Sequence, residues 1–173
     1  MNRSSFLKTL CAASAASLTA CSTTAPPTAG ITSWPPVSCK TVRAFVYDCE
    51  AEHHNMSFWR KDGTMHQGVL NAPGTTLSPS QVQLLLAAAN TPAPLDKYKP
   101  CYVPHHAFVF YDAADKPVAT LEVCFTCRRH IATPAGTPEH INYAALWSLL
   151  HELNVPAERG PYYYRQLYRA AHP

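Results

Sequence analysis

The sequence predicts an α+β domain in which two or three helices pack on a small antiparallel sheet. Two β-rich runs, residues 106–111 and 117–125, are separated by a short polar turn and predict a hairpin. Two other segments, which begin near Ser78 and Thr137, carry helix-start signals before apolar residues at helical spacing. Because 47% of the residues are apolar, the chain can form a core and is not disordered throughout.

The first part of the domain is predicted to be an antiparallel meander. Residues 41–47 alternate in polarity and are rich in β-branched and aromatic side chains, which predicts a strand. Residues 56–60 and 65–70 flank the sequence Lys-Asp-Gly-Thr at 61–64. An Asp-Gly pair between two β-like runs is typical of a tight hairpin turn.

The first helix has a start signal with a known physical basis. Ser78 is a cap residue, Pro79 suits the first helical position, and Gln81 stands where a capping box requires it. The helix is expected to end near Asn90, because the prolines within residues 91–94 remove backbone donors and helical freedom.

Burial of one face fixes the predicted register of the second hairpin. If Tyr111 lies opposite Val118, then Phe108 faces Leu121, and one side of the hairpin is largely apolar. A slip of one residue would set Phe108 against Thr120 and mix the two faces. The opposite side is predicted to be the more polar one.

Two further helices are predicted to follow the hairpin. Residues 137–139, Thr-Pro-Glu, open a helix whose apolar positions run from Ile141 to Leu153, and we expect it to cover the sheet. Residues 161–171 predict a short last helix that holds four tyrosines and two arginines. Core packing with hydroxyls at the rim explains these tyrosines better than a docking surface does.

The N-terminus has the plan of a secretory signal. Arg3 and Lys8 form a basic start, and residues 9–20 are apolar or small but too few to span a bilayer, which needs about 20. Residues 18–21, Leu-Thr-Ala-Cys, resemble the processing site of bacterial lipoproteins. The resemblance implies that residues 1–20 are a signal peptide and that Cys21 carries the lipid, including a palmitate-type acyl chain.

This resemblance implies a place in the cell envelope. Ser22 follows the lipidated cysteine where an acidic residue would favour the inner membrane, so we expect an outer-membrane lipoprotein that faces the periplasm. Residues 21–38 are rich in Thr, Pro and Ala and predict a flexible tether, which leaves residues 39–173 as the domain. The partners expected are the membrane, through Cys21, and an envelope protein.

Nucleic acid is not an expected partner. Loss of residues 1–20 removes two of the basic residues, and the formal charge then falls from +3 to +1. Nucleic-acid binding requires a concentrated basic face.

A cysteine and histidine cluster is predicted at one end of the second hairpin. The register sets His105 opposite Cys124, with Cys101 and Cys127 just beyond at the same end. The Cys-x-x-Cys spacing lets a tight turn direct both sulfurs to one point. These four side chains could hold zinc or copper, so a metal-binding lipoprotein is one hypothesis.

The expected compartment favours a different reading of the same residues. Exported proteins meet an oxidising environment, so Cys101, Cys124 and Cys127 are disulfide candidates in any of three pairings. Cys39 and Cys49 flank a strand, which would separate them by roughly 33 Å, so they should not bond each other. The favoured role is therefore structural or binding, with the hairpin end fixed by a disulfide.

A third hypothesis is thiol-disulfide exchange. In it Cys124 attacks a disulfide, Cys127 resolves the mixed intermediate, and the basic residues that follow stabilise the thiolate. No helix start follows Cys124, which makes this enzymatic role the weakest of the three.

The hairpin also resembles a family of uncharacterised bacterial envelope lipoproteins. That family carries a Pro-x-His strand and a Cys-Phe-x-Cys motif, which fall here on Cys101, Pro104, His106, Cys124 and Cys127. The resemblance covers residues 76–130. It implies that the hairpin and its cysteines form one unit, and it implies no particular reaction.

Overall fold

The computed structural model describes residues 33–52, 55–94, 99–158 and 160–173. The described elements in chain order are β1 Thr41–Val46, β2 Thr75–Thr76, α1 Pro79–Asn90, β3 His106–Tyr111, β4 Pro117–Cys124, β5 Arg129–Thr133, α2 Tyr143–Glu152 and α3 Pro161–Ala171. Within these ranges the strands form one antiparallel sheet in the order β2-β1-β3-β4-β5. The α+β class and its small antiparallel sheet are confirmed.

The hairpin of β3 and β4 has the predicted register over most of its length. Phe108 lies opposite Leu121, as burial of one apolar face requires. Near the turn the pairing shifts, and Tyr111 lies opposite Pro117, one residue before its predicted partner. The carboxylate of Asp112 organises this turn by accepting backbone N–H groups two and four residues later.

One face of the sheet packs against the helices and forms the larger core. Strands β1, β3 and β4 each contribute every second residue to this face, and all three helices contribute apolar side chains. Its buried members include Val42, Ala44, Val46, Phe108, Phe110, Leu121, Leu85, Leu146, Leu150 and Tyr164.

The opposite face carries the more polar strand residues, as expected, but it is also buried. Residues 55–70 cover it and insert Phe58 among the strand residues of a second core. Thr120 and Glu122 point to this side and are 4% and 5% exposed. The Glu122 carboxylate accepts the Phe58 N–H, so this polar group is satisfied inside the second core.

The strands predicted within 56–70 are not formed. Their only described sheet-like contacts are isolated bridges, of Trp59 with Met65 and of Val69 with Tyr47. A turn does close at the expected place, where the Arg60 N–H donates to the Thr64 carbonyl. This segment supplies side chains to the second core rather than a ladder of hydrogen bonds.

The predictions for the helices are confirmed in part. Ser78 and Gln81 form the reciprocal capping box at the start of α1, and α3 spans the residues expected. The second helix starts later than predicted, at Tyr143, with Asn142 as its cap. Thr137 does not cap a helix, because its hydroxyl bonds His130 of β5.

The folded domain begins earlier than predicted. Trp34 lies within the expected tether, yet it is 1% exposed and packs edge-to-face on Phe110 at 5.1 Å. Its indole N–H donates to the Pro134 carbonyl and its backbone N–H to Asn90 Oδ1, each at 2.7 Å. The boundary predicted at residue 39 is therefore too late, because this large side chain belongs to the core.

The predicted signal peptide, Cys21 and the first part of the tether lie outside the described residues. Among the helices that the structure describes, none combines the length and the apolar character needed to cross a membrane.

Candidate functional site

The candidate site is built around the turn that joins β4 to β5. Cys124 is the last residue of β4, residues 125–128 form the turn, and Arg129 pairs with Cys124 as β5 begins. Arg128 closes the turn with a left-handed backbone, φ 52°. The Cys-x-x-Cys motif is therefore a hairpin turn, and β5 was missed in the sequence.

A disulfide joins this turn to the segment that enters β3. It links Cys101 with Cys127, 26 residues apart, with their Cα atoms 5.6 Å from each other. This is one of the three pairings that the sequence left open. Cys39 and Cys49 are free cysteines, the first exposed and the second buried, in agreement with the expectation that they do not pair.

Cys124 is a free and buried thiol beside this disulfide. Its side chain is 1% exposed, and Sγ accepts the backbone N–H groups of Val103 and Cys127 at 3.4 Å each. The sulfur thus helps to hold the turn against the strand entry. Its burial argues against the predicted attack on an external disulfide, which requires access to the sulfur.

His105 does not join the cysteines. The β3–β4 ladder ends at the pair His106 and Val123, and the His105 ring instead bonds the Tyr47 carbonyl through Nδ1 at 3.0 Å. The ring also stacks on Tyr164, with centroids 4.0 Å apart. Burial lowers the pKa of His105, and the Tyr47 carbonyl and the charge of Asp48 oppose that shift.

The structure does not assemble the predicted zinc or copper site of Cys101, His105, Cys124 and Cys127. Two of the three sulfur ligands, Cys101 and Cys127, are bonded to each other, and His105 is held by other partners. Among the described residues, no group of three or more His, Cys, Asp or Glu side chains is arranged to hold a metal ion. The predicted pairing of His105 with Cys124 is wrong, because the β3–β4 ladder ends at His106 and Val123.

His106 of the Pro-x-His motif lies on the helix-covered face and has a structural role. Its Nε2 donates to the Pro156 carbonyl at 2.8 Å, and its ring meets Phe125 and Tyr164 edge-to-face. Burial lowers the pKa of His106 to about 3, so the ring is neutral in the folded protein at neutral pH.

A cleft of about 630 Å³ opens beside the disulfide-linked turn of residues 125–128. Phe125 of the turn and Trp147 of α2 lie in its wall, in edge-to-face contact at 5.1 Å. The cleft is lined by Ala93, Pro94, Lys99, Phe125, Thr126, Arg128, His140, Ile141, Asn142, Tyr143, Ala144, Trp147 and Ser148. These residues come from three separate parts of the chain.

The basic side chains of the described lining are Lys99, Arg128 and His140. The carboxylate of Glu139 lies 3.8 Å from the His140 ring. This cleft could not be predicted from the sequence, in which its one local signal is the basic run that follows Cys127.

A second cavity of about 450 Å³ shares Arg128 and His140 with the cleft. Its wall includes His130, whose ring nitrogens bond the hydroxyls of Tyr143 and Thr137 at 2.8 Å each. Burial lowers the pKa of His130. This histidine joins β5 to the segment before α2 and so helps to shape both cavities.

Comparison with protein-family models, with curated proteins and with solved structures finds no match to this chain. The resemblance to an envelope lipoprotein family therefore stays a prediction.

Proposed function

We propose that this protein is a lipid-anchored binding protein of the bacterial cell envelope, held at the outer membrane through Cys21 and facing the periplasm. One observation supports a binding role over a purely structural one. The disulfide-linked turn does not only close a hairpin, because it also presents Phe125, Thr126 and Arg128 to the cleft.

The Cys101–Cys127 disulfide has a clear role under this proposal. Cys127 is bonded to Cys101 and its backbone N–H donates to Cys124, so the turn is restrained on both sides. A wall that is rigid before binding loses less conformational entropy when a ligand arrives. The disulfide therefore supports both the fold and the shape of the site.

The proposed anchor is consistent with where the folded domain starts. Thirteen residues lead from Cys21 to Trp34, and at about 3.3 Å each they could reach roughly 40 Å from the lipid. Each buried methylene of an acyl chain contributes about 0.8 kcal/mol, so two or three chains bind a membrane stably.

Expression of the full chain in a Gram-negative host tests the anchor. We expect the wild-type protein to fractionate with the outer membrane and to show the mass of an acylated chain that begins at Cys21. Cys21→Ala should lose the lipid mass and the membrane association. Cys39→Ala, which changes an exposed free cysteine of the folded domain, should keep both.

The proposal fails if the wild-type protein carries no acyl mass, or if Cys21→Ala remains in the membrane fraction to the same extent as the wild type.

A further inference from the structure

We infer that the outer edge of β5 pairs with the same edge of a second copy of this chain, in an antiparallel register centred on Ile131. The inference goes beyond the proposed function and does not depend on it. Three features of the sheet support it: its open edge, the backbone groups that point out of that edge, and the register that its residues allow.

The two edges of the sheet differ. Residues 68–77 cover the outer side of β1, where the Leu70 and Leu77 N–H groups donate to carbonyls of that strand. The side chain of Asn71 bonds two more backbone groups of β1. At the other edge lies β5, whose sheet neighbour among the described residues is β4 alone. Unpaired N–H and C=O groups at such an edge are a template for pairing with another chain.

The pairings of the sheet identify the backbone groups that point out of β5. In an antiparallel strand these groups alternate between the two sides. In β1 the Val46 carbonyl faces outward and the Tyr47 N–H faces β3. Carried across the sheet, this alternation turns the backbone of Ile131 toward β4. The N–H and C=O groups of His130 and Ala132 therefore point outward, and within the described part of the chain no hydrogen bond meets them there.

The exposure of β5 agrees with an open edge. Its residues are exposed or half-buried, whereas every residue of β3 is buried. The central residue, Ile131, is apolar and 46% exposed. Natural edge strands are commonly protected by a charge or a proline. Here Arg129 begins the strand and Pro134 follows it, so neither protects its centre.

One antiparallel register uses the whole of this edge in both copies. With Ile131 opposite itself, His130 pairs with Ala132 of the second copy, and the two-fold axis repeats that pair. Each of these pairs exchanges both of its backbone hydrogen bonds. Arg129 then lies opposite Thr133, so no like charges face each other.

The neighbouring registers lose contacts. Centring the pairing on Ala132 sets His130 opposite Pro134, which has no N–H to donate. Centring it on His130 sets Ala132 opposite Arg128, whose left-handed backbone, φ 52°, is not extended. The residues of this edge therefore favour the register centred on Ile131.

The size of the contact predicts a reversible dimer. Stable protein interfaces bury about 1,200–2,000 Å², and two strands of five residues bury less than that. We therefore expect the association to be weak and to depend on protein concentration. A second copy suits this edge because the exposed apolar side chain meets its own equivalent and the charged one meets a neutral residue.

Cysteine cross-linking of the full chain in detergent tests the register. Ile131→Cys in a Cys39→Ala background places two thiols at the two-fold axis, where facing Cα atoms lie about 4.5 Å apart. Thr133→Cys, on the same face of β5, is the control, because its two copies would lie about 13 Å apart along the strands. After mild oxidation we expect a disulfide-linked dimer of Ile131→Cys about fivefold more abundant than that of Thr133→Cys.

A proline at an outward position tests the backbone contacts. Ala132→Pro removes an N–H that the ladder with β4 does not use, and Ala132→Ser keeps it. In sedimentation experiments we expect Ala132→Pro to weaken self-association about tenfold and Ala132→Ser to change it by less than about threefold. Ile131→Glu, which would set two carboxylates opposite each other, is a second variant if Ala132→Pro does not fold.

Equal cross-linking of Ile131→Cys and Thr133→Cys, or none of either, would overturn the dimer. Equal self-association of Ala132→Pro and Ala132→Ser, or of Ile131→Glu and the wild type, would do the same. A cross-link from Ile131→Cys to a different protein would assign the edge to a strand of that protein and exclude the second copy. None of these results bears on the acyl mass at Cys21, so failure of this inference is distinguishable from failure of the proposed anchor.

Discussion

His106 shows how burial turns a titratable side chain into a fixed neutral one. The ring is 1% exposed, donates one hydrogen bond to the Pro156 carbonyl, and has its pKa lowered to about 3, mainly by burial and further by His105. In the unfolded chain the pKa of a histidine is about 6.5. Protons therefore bind the unfolded state first as the pH falls.

This difference predicts a pH dependence of stability. The contribution of His106 is fully present above about pH 6.5 and is lost as the pH falls from there toward about 3. Between pH 6.5 and pH 5 the loss should be about 2 kcal/mol. His106→Gln, whose amide can still donate to Pro156, should remove that part of the dependence.

Denaturant unfolding of wild type and variant at pH 7 and pH 5 measures this effect. Other groups also titrate, since burial lowers the pKa of His105 and His130 and raises that of Glu122, so the difference between proteins is the informative quantity. His151→Gln, at an exposed helix position, is the matched control. If His106→Gln and wild type lose the same free energy between pH 7 and pH 5, the assignment is wrong.

Trp34 is a second position at which one side chain carries a large part of the stability. Trp34→Ala should lower the free energy of unfolding by about 3–5 kcal/mol, because it opens a cavity beside Phe110 and removes the hydrogen bond to Pro134. Val37→Ala, at a residue 40% exposed, should change it little. If the two variants have similar unfolding curves, Trp34 does not belong to the folded core and the domain starts at residue 39 as first predicted.

The β4–β5 turn is expected to depend on the Cys101–Cys127 disulfide. Replacing Cys101 and Cys127 by Ala should lower the free energy of unfolding by about 3 kcal/mol, the contribution expected for a loop of 26 residues. In a domain of this size that corresponds to roughly 10 °C in Tm. Scanning calorimetry measures it, with Cys39→Ala as the control that removes an exposed thiol. If the double variant has the same Tm as the Cys39→Ala control, the disulfide does not stabilise the domain.

The elements that sequence reasoning could predict are those whose signals are local. The capping box at Ser78 lies within four residues, and the β3–β4 register follows from one apolar face that must be buried. The predicted start of α2 is wrong because the Thr137 hydroxyl forms a hydrogen bond with His130, seven residues earlier in the chain. No local rule shows that a cap residue has a tertiary partner.

The candidate site could be predicted only in part for the same reason. The sulfurs of Cys101 and Cys127 were expected to meet because the hairpin brings both to one end, and they do. The hairpin alone does not define β1 or β5. It therefore could not predict that His105 bonds the Tyr47 carbonyl or that Cys124 pairs with Arg129. The cleft is harder still to predict, since distant segments line it.

The last helix connects the two ends of the domain. Tyr164 is 1% exposed, and its hydroxyl bonds both the N–H and the carbonyl of Glu158. Next to it, Arg165 pairs with Asp48, which follows β1 and is fully buried. The guanidinium also donates to the Glu50 carbonyl. Helix α3 therefore fastens the residues after β1, more than one hundred positions earlier in the chain.

Arg165→Met should release this connection. The substitution leaves the buried Asp48 carboxylate without its cation, and among the described contacts of its side chain the Glu50 N–H is what still donates to it. Leaving a buried charge unpaired costs about 3 kcal/mol. Arg169→Met, at an exposed position one turn along α3, should cost much less. The double variant Asp48→Asn with Arg165→Met should recover part of the loss, because the buried group is then neutral.

Chemical denaturation of the four proteins measures these differences. If Arg165→Met and Arg169→Met unfold at the same denaturant concentration, the ion pair does not hold α3 in place. If the double variant is less stable than Arg165→Met, the loss of stability in Arg165→Met does not come from an unpaired charge.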